Sequence, residues 1–173
     1  MIEIYTDGAC CGNGKEENHG GFSTVIINTN DQGFRINKII SKQVKNTTNN
    51  RMELSALLLA LELSQTEFKN NDVKIYSDSA YCVNIFNEWI TNWCRRGWIK
   101  SNNKPIENID LIQRIYEYKK IEFSNFEILK CKGHNNILGN ELADAAASNN
   151  KAKLVKIFQE NDLEYAYEVL FDF

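Results

Sequence analysis

Phe22-Ser23-Thr24-Val25-Ile26-Ile27-Asn28, then the turn Asn30-Asp31-Gln32-Gly33, then Phe34-Arg35-Ile36-Asn37-Lys38-Ile39-Ile40, reads as two strands joined by a short connection. β-branched and aromatic residues fill both flanks, and consecutive Asn, Asp and Gly are turn chemistry. Upstream, residues 2–6 form another short strand. A polar stretch over residues 8–21, carrying Gly12, Gly14, Gly20 and Gly21, separates it from the second and reads as a loop. The third strand is expected to reach residue 44. Three strands with no helix between them predict an antiparallel meander. This opening does not fit the strict strand–helix alternation of a doubly wound nucleotide-binding fold.

Further along, residues 49–65 predict a strong helix capped by Asn49 or Asn50. Glu53, Ala56, Leu57, Ala60 and Leu61 share one of its faces, so a carboxylate points inward at the first turn. A fourth strand is expected over 73–77, a helix over 79–90, a helix over 108–119 and a fifth strand over 126–131. Residues 89–105 are irregular or helical and include Gly97 and the chain's one proline, Pro105. Gly139-Asn140 starts a last helix of small residues able to pack close to a sheet. The fold class expected is mixed α/β: a five-stranded mixed sheet, opening with the meander and flanked by helices.

The domain is expected to span residues 1–149, with 150–173 as a C-terminal extension. Residues 151–158 look like a helix continuation, and Tyr165, Tyr167, Val169, Phe171 and Phe173 alternate at strand spacing. The first reading of that alternation is an edge strand packed on the body. The second is a docking segment for a partner protein by strand addition.

With 173 residues and 43% apolar content, one domain with a real core is expected. No run approaches the roughly 18 apolar residues of a membrane span. Met1-Ile2-Glu3-Ile4 lacks a signal-peptide core, so the expectation is a cytoplasmic protein, with a monomer as the default. Five cysteines without C-x-x-C spacing argue for reduced thiols over a zinc site or a disulfide framework. The net charge is −3, but residues 159–173 carry five acids and no Lys or Arg, leaving the rest at +2. Charge alone neither requires nor excludes a polyanionic partner.

Four acids have distinctive settings. Asp7 closes an apolar run before Gly8, Asp78 follows Val73-Lys74-Ile75-Tyr76-Ser77, Glu53 opens the long helix, and Asp144 lies in Gly139-Asn140-Glu141-Leu142-Ala143-Asp144. Any one of them is ordinarily a turn or cap residue. In the expected topology the two strand ends and two helix starts meet at one edge. Four crowded carboxylates repel and raise one another's pKa unless a cation intervenes. Oxygen ligands without a His or Cys cluster favour Mg²⁺ or Mn²⁺ over zinc.

These motifs resemble ribonuclease H of type 1. The match runs through Tyr5-Thr6-Asp7-Gly8 with Asn13, Thr47-Thr48-Asn49-Asn50-Arg51-Met52-Glu53-Leu54, Ser77-Asp78-Ser79-Ala80-Tyr81, and Lys132-Gly133-His134 followed by Asp144. It covers roughly residues 1–148 in order. The resemblance implies an endoribonuclease that hydrolyses the RNA strand of RNA–DNA hybrids, leaving 5′-phosphate and 3′-hydroxyl ends. It implies that Asp7 bridges two Mg²⁺ ions, with Mn²⁺ as a substitute. Asp144 would help hold the ion at the attacking water, and Glu53 and Asp78 the ion at the leaving oxygen. Glu53 would also lie near an RNA 2′-hydroxyl, and His134 would be an auxiliary general base or an aid to product release.

For the duplex, the resemblance implies minor-groove contacts from Asn13, Asn49 and Asn50, with Cys10 near the RNA. Thr48 and Asn108 match a phosphate pocket for the DNA strand. Trp89 and Trp93, four apart and so on one helical face, would form a sugar-and-phosphate channel with Arg95, Arg96, Lys100 and Lys104. Departures are Asn46, where the pocket can have arginine, Cys94 and Ile99 at often basic positions, and Ala80 where a longer side chain can touch RNA. Two alternatives are a non-catalytic hybrid-binding module of the same fold and a Mg²⁺-dependent phosphoacceptor regulator. The latter needs regular strand–helix alternation and a late-strand lysine.

Overall fold

A computed structural model describes residues 1–132, 137–163 and 168–172, the last five as backbone alone. The chain runs β1 (Ile2–Cys11), β2 (His19–Asn30), β3 (Gly33–Lys45), α1 (Asn49–Gln65), β4 (Val73–Ser77), α2 (Ala80–Asn84), a π-helical turn (Ile85–Trp89) and α3 (Ile90–Arg95). It continues through α4 (Ile109–Lys119), β5 (Phe126–Lys130), α5 (Leu138–Ala147), α6 (Lys151–Glu160) and β6 (Glu168–Asp172). The sheet order is β5-β4-β1-β2-β3-β6. The β1–β2–β3 meander is antiparallel, whereas β4 lies parallel to β1, β5 parallel to β4, and β6 parallel to β3. Glu168–Asp172 thus adds a sixth strand to the five expected.

β1 is longer than residues 2–6. It continues through Asp7 to Cys11, pairing Asp7 with Ser23, Gly8 with Phe22 and Cys11 with His19. Gly12 and Gly14 stay in a loop, with φ of 73° and 85°, whereas Gly8, Gly20 and Gly21 are strand residues closely approached by other parts of the chain. A Cβ on Gly8 would overlap the main chain of Glu53, and one on Gly21 would overlap the carbonyl of Ala147. The connection therefore shrinks to residues 12–18, and Asp7 sits inside a strand.

Helices cover both faces of the sheet, which is why Val25, Ile26 and Ile27 are buried in succession instead of alternating with polar residues. Ile4, Ile26 and Ile75 pack with Leu54, Leu57 and Leu61 of α1 and with Ile112 and Ile115 of α4. On the other face Val25, Ile27 and Ile39 pack with α5 and with Leu154, Ile157 and Phe158 of α6. No helix among the described residues is long and apolar enough to cross a membrane.

The expected α1 face, Glu53, Ala56, Leu57, Ala60 and Leu61, is buried throughout. The cap is Thr48 rather than Asn49 or Asn50: its Oγ1 accepts from the Arg51 amide at 3.2 Å. The helix expected over 79–90 is interrupted by the π-helical turn, whose extra residue turns the face that follows it. Small residues let α5 lie close on the sheet. Ser23 Oγ donates to the Ala143 carbonyl at 2.6 Å and Ser41 Oγ to that of Ala146 at 2.7 Å. Asp144 is therefore in the second half of α5 and not at a helix start. α6 does not continue α5, because Asn149 takes a left-handed φ of 51° and turns the chain.

Candidate active site

Parallel pairing of β1 with β4 brings Thr6 opposite Ser77, so Asp7 and Asp78 follow side by side at adjacent strands. Thr6 Oγ1 donates to the Tyr76 carbonyl at 3.1 Å and fixes that register. α1 crosses directly above Gly8, which has no side chain to hold it off, and delivers Glu53 to the same point. One carboxylate oxygen from each of Asp7, Glu53 and Asp78 lies within 4.8 Å of the others. Asp7 is 7% exposed and Glu53 6%.

The crowding is electrostatically costly. Burial, then the charges of Asp78 and Asp144, push Asp7 up to about 7. Burial, then the charges of Asp7 and Asp78, push Glu53 up to about 9. The Gly8 amide donates toward both carboxylates and opposes both shifts. Glu53 Oε2 is fully buried without a hydrogen-bond partner. An orphaned carboxylate oxygen facing two other carboxylates is what a hard divalent cation satisfies, and the all-oxygen donor set suits Mg²⁺ or Mn²⁺. The residues present fit such an ion.

Asp144, the fourth expected acid, acts on Asp7 through its charge but is engaged elsewhere: Lys153 Nζ lies 2.5 Å from its Oδ2. A second lysine serves the other side. Lys130 Nζ donates to the Asp78 carbonyl at 2.6 Å and to the Cys131 carbonyl at 3.3 Å, bracing the backbone that carries Asp78. Its charge also favours the ionised form of Glu53. His134 lies outside the described residues.

Of the expected substrate residues, Asn13 and Asn49 come together, with the Asn49 amide donating to Asn13 Oδ1 at 3.4 Å, and Asn50 is exposed beside them. Cys10 Sγ sits 3.6 Å from the Thr47 carbonyl, at the base of that loop. Thr48 and Asn108 are linked through Arg51, whose amide binds Thr48 and whose Nη1 donates to Asn108 Oδ1 at 3.3 Å. Asn108 is left-handed, with φ 55°, and donates to the Tyr81 hydroxyl at 3.2 Å. Trp89 and Trp93 pack with centroids 5.7 Å apart. With Arg95 and Arg96 they line an open hollow of about 350 Å³.

Sequence reasoning missed four residues. Asn18 ties the loops, accepting from the Thr47 amide at 2.8 Å, and Arg51 is clamped by Asp110 at 2.7 Å. Lys130 carried a signal, as the last residue of β5, paired with Ser77 just before Asp78. Lys153 carried none, because only the α5–α6 turn brings it back over Asp144.

A family model described as RNase H matches residues 1–152. The chain belongs to the ribonuclease H family. A ribonuclease H of Caldanaerobacter subterraneus subsp. tengcongensis is 41% identical over 157 residues, covering 90% of this chain and 94% of the relative. Among solved structures, LC11-RNase H1 in complex with an RNA/DNA hybrid superposes with a TM-score of 0.57 at 26% identity, over 86% of this chain and 98% of that one. The protease–reverse transcriptase of prototype foamy virus matches with a TM-score of 0.72 at 25% identity over 86% of this chain. This chain spans 20% of that much longer polypeptide. The ribonuclease H relationship gives the acidic cluster its context: buried acids with raised pKa values gather at functional sites more often than in structural cores.

Proposed function

We propose that this ribonuclease H family member hydrolyses the RNA strand of RNA–DNA hybrids with divalent metal ions, Mg²⁺ in the first place, to leave 5′-phosphate and 3′-hydroxyl ends. The observation that carries the reading is the buried convergence of Asp7, Glu53 and Asp78, with Glu53 Oε2 unpartnered. When bound, the ions supply neutralisation of the attacking and leaving oxygens of an in-line displacement. Asp7, coupled by charge to Glu53, Asp78 and Asp144, would be the acid shared by both ions, with Glu53 and Asp78 helping to hold one and Asp144 the other. The Gly8 amide favours the ionised forms of Asp7 and Glu53, and Lys130 fixes the Asp78 main chain. His134 is assigned an auxiliary role in proton transfer or product release, so its replacement by Ala slows turnover without abolishing it.

The duplex is read from two sides. Asn13, Asn49, Asn50 and Cys10 are grouped around the β3–α1 junction, where small polar groups suit the shallow minor groove and 2′-hydroxyls of an RNA strand. Thr48 and Asn108, aligned by Arg51, suit a backbone phosphate, and Trp89 with Trp93, Arg95 and Arg96 suits the sugars and phosphates of the other strand. The hybrid bound by LC11-RNase H1 supports this choice of duplex. The test is a 5′-labelled RNA annealed to DNA, incubated with purified protein and Mg²⁺, with Asp7→Asn and single-stranded RNA as controls. Cleavage confined to the hybrid and absent from the variant supports the reading. Hybrid binding without cleavage at any Mg²⁺ concentration would instead make it a non-catalytic binding module.

A further inference from the structure

Lys153 lies one residue beyond the family match and in a helix of its own. Its position is built. Asn149 reverses the chain in the left-handed region, the Asn150 amide returns to the Ala145 carbonyl at 2.8 Å, and Asn150 Oδ1 caps α6 by accepting from the Lys153 amide at 3.0 Å. Leu154, Ile157 and Phe158 anchor the same helix in the second core. The ammonium is delivered to Asp144 Oδ2, and its charge reaches Asp7 as well.

The two lysines beside the acids differ in kind. Lys130 donates to main-chain carbonyls, which need not serve as ligands. Lys153 holds a carboxylate oxygen that a divalent cation at this centre also needs. An ammonium and a divalent cation repel each other, so one carboxylate does not serve both well at close range. The side chains of Lys153 and Asp144 are 37% and 33% exposed, so the ammonium can swing into water without unpacking α6.

We propose that Lys153 is a displaceable counter-cation: it holds Asp144 while no ion is bound and must release it for the fourth carboxylate to join the metal centre, thereby raising the cation concentration that full assembly requires. This rests on the reading of the acidic cluster as a divalent-metal site. Lys153 is a positioning residue acting through Asp144, and its effect appears first in metal affinity.

The experiment is calorimetric titration of Mn²⁺ into metal-free full-length protein, without substrate, for the native chain, Lys153→Met, Lys153→Arg, Asp144→Asn and the Lys153→Met/Asp144→Asn pair. Met keeps the apolar stem and removes the charge, and Lys153→Gln is the second neutral variant should Met perturb folding. The expected result is about fivefold tighter Mn²⁺ binding in Lys153→Met, as suits loss of a partly exposed ion pair, with Lys153→Arg near the native value. In the Asp144→Asn background the gain shrinks to less than about twofold. Unchanged or weaker binding in both neutral variants overturns the proposal while leaving the metal site standing. An equal gain with and without Asp144 also overturns it, since Lys153 would then act only as a distant charge. If Mn²⁺ binds none of these proteins, the metal-site reading falls and the proposal falls with it.

Discussion

Asp7→Asn is expected to stabilise the metal-free protein while disabling it. In the fold Asp7 is raised from its ordinary 3.8 to about 7, and Glu53 from 4.5 to about 9, so the folded chain retains protons that the unfolded chain has released. Stability therefore falls as pH rises through this window: the favourable contribution is full below about pH 4, and is lost by about pH 7 for Asp7 and about pH 9 for Glu53. Each pKa unit is worth about 1.4 kcal/mol, so the Asp7 displacement sets a ceiling of about 4 kcal/mol on the gain from removing its charge. Water entry and side-chain relaxation leave roughly half of this, about 2 kcal/mol at pH 8.5. In a chain of this size that corresponds to a rise of roughly 4–8 °C in Tm. Asn keeps an oxygen for the Gly8 amide, so the change isolates charge from geometry. The assay is thermal unfolding by circular dichroism in EDTA at pH 4 and pH 8.5. The gain should appear at pH 8.5 and vanish at pH 4, and Mg²⁺ should raise the Tm of the native chain more than that of the variant. A variant that melts at or below the native temperature at pH 8.5 would refute the claim that these acids are electrostatically strained.

Glu53→Gln should reduce hybrid cleavage by at least about a hundredfold with hybrid binding nearly intact, measured by gel assay and fluorescence anisotropy in Ca²⁺. Gly8→Ala should cost about 3 kcal/mol by chemical denaturation and also weaken Mn²⁺ binding, since the added methyl group drives the first turn of α1 and Glu53 away from β1. Trp89→Ala, at a side chain already 36% exposed, should weaken hybrid affinity about tenfold while leaving Tm nearly unchanged. Truncation after Leu163 removes the strand paired with β3 and should lower Tm; an unchanged Tm would favour a docking role for the tail.

The meander is legible in the sequence because each strand has its own β-branched run and the turn after Asn30 carries unambiguous chemistry. α1 is equally legible, since Leu and Ala at helical spacing leave Glu53 as the sole acid on a buried face. Less legible are features set by close approach between distant segments. Gly8, Gly20 and Gly21 read locally as a loop, yet they are strand positions kept bare: α1 passes over Gly8, the Ala9 carbonyl and Thr47 crowd Gly20, and the end of α5 lies on Gly21. The acids at 7, 53 and 78 are readable as a cluster because two close apolar runs and one opens a helix, although β1 runs on past Asp7. The Lys153–Asp144 pair is not, since it depends on a turn at Asn149 that propensity does not distinguish from a continuing helix. The extra residue of the π-helical turn before Trp89 is hidden for the same reason, because its segment carries an ordinary helical pattern.

Anomalous diffraction from a crystal soaked in Mn²⁺ tests the centre most directly. The account predicts a peak bounded by the carboxylates of Asp7, Glu53 and Asp78, lost in Asp7→Asn. Ordered Mn²⁺ only at other sites, with these three carboxylates left without an ion at saturating concentration, would contradict it.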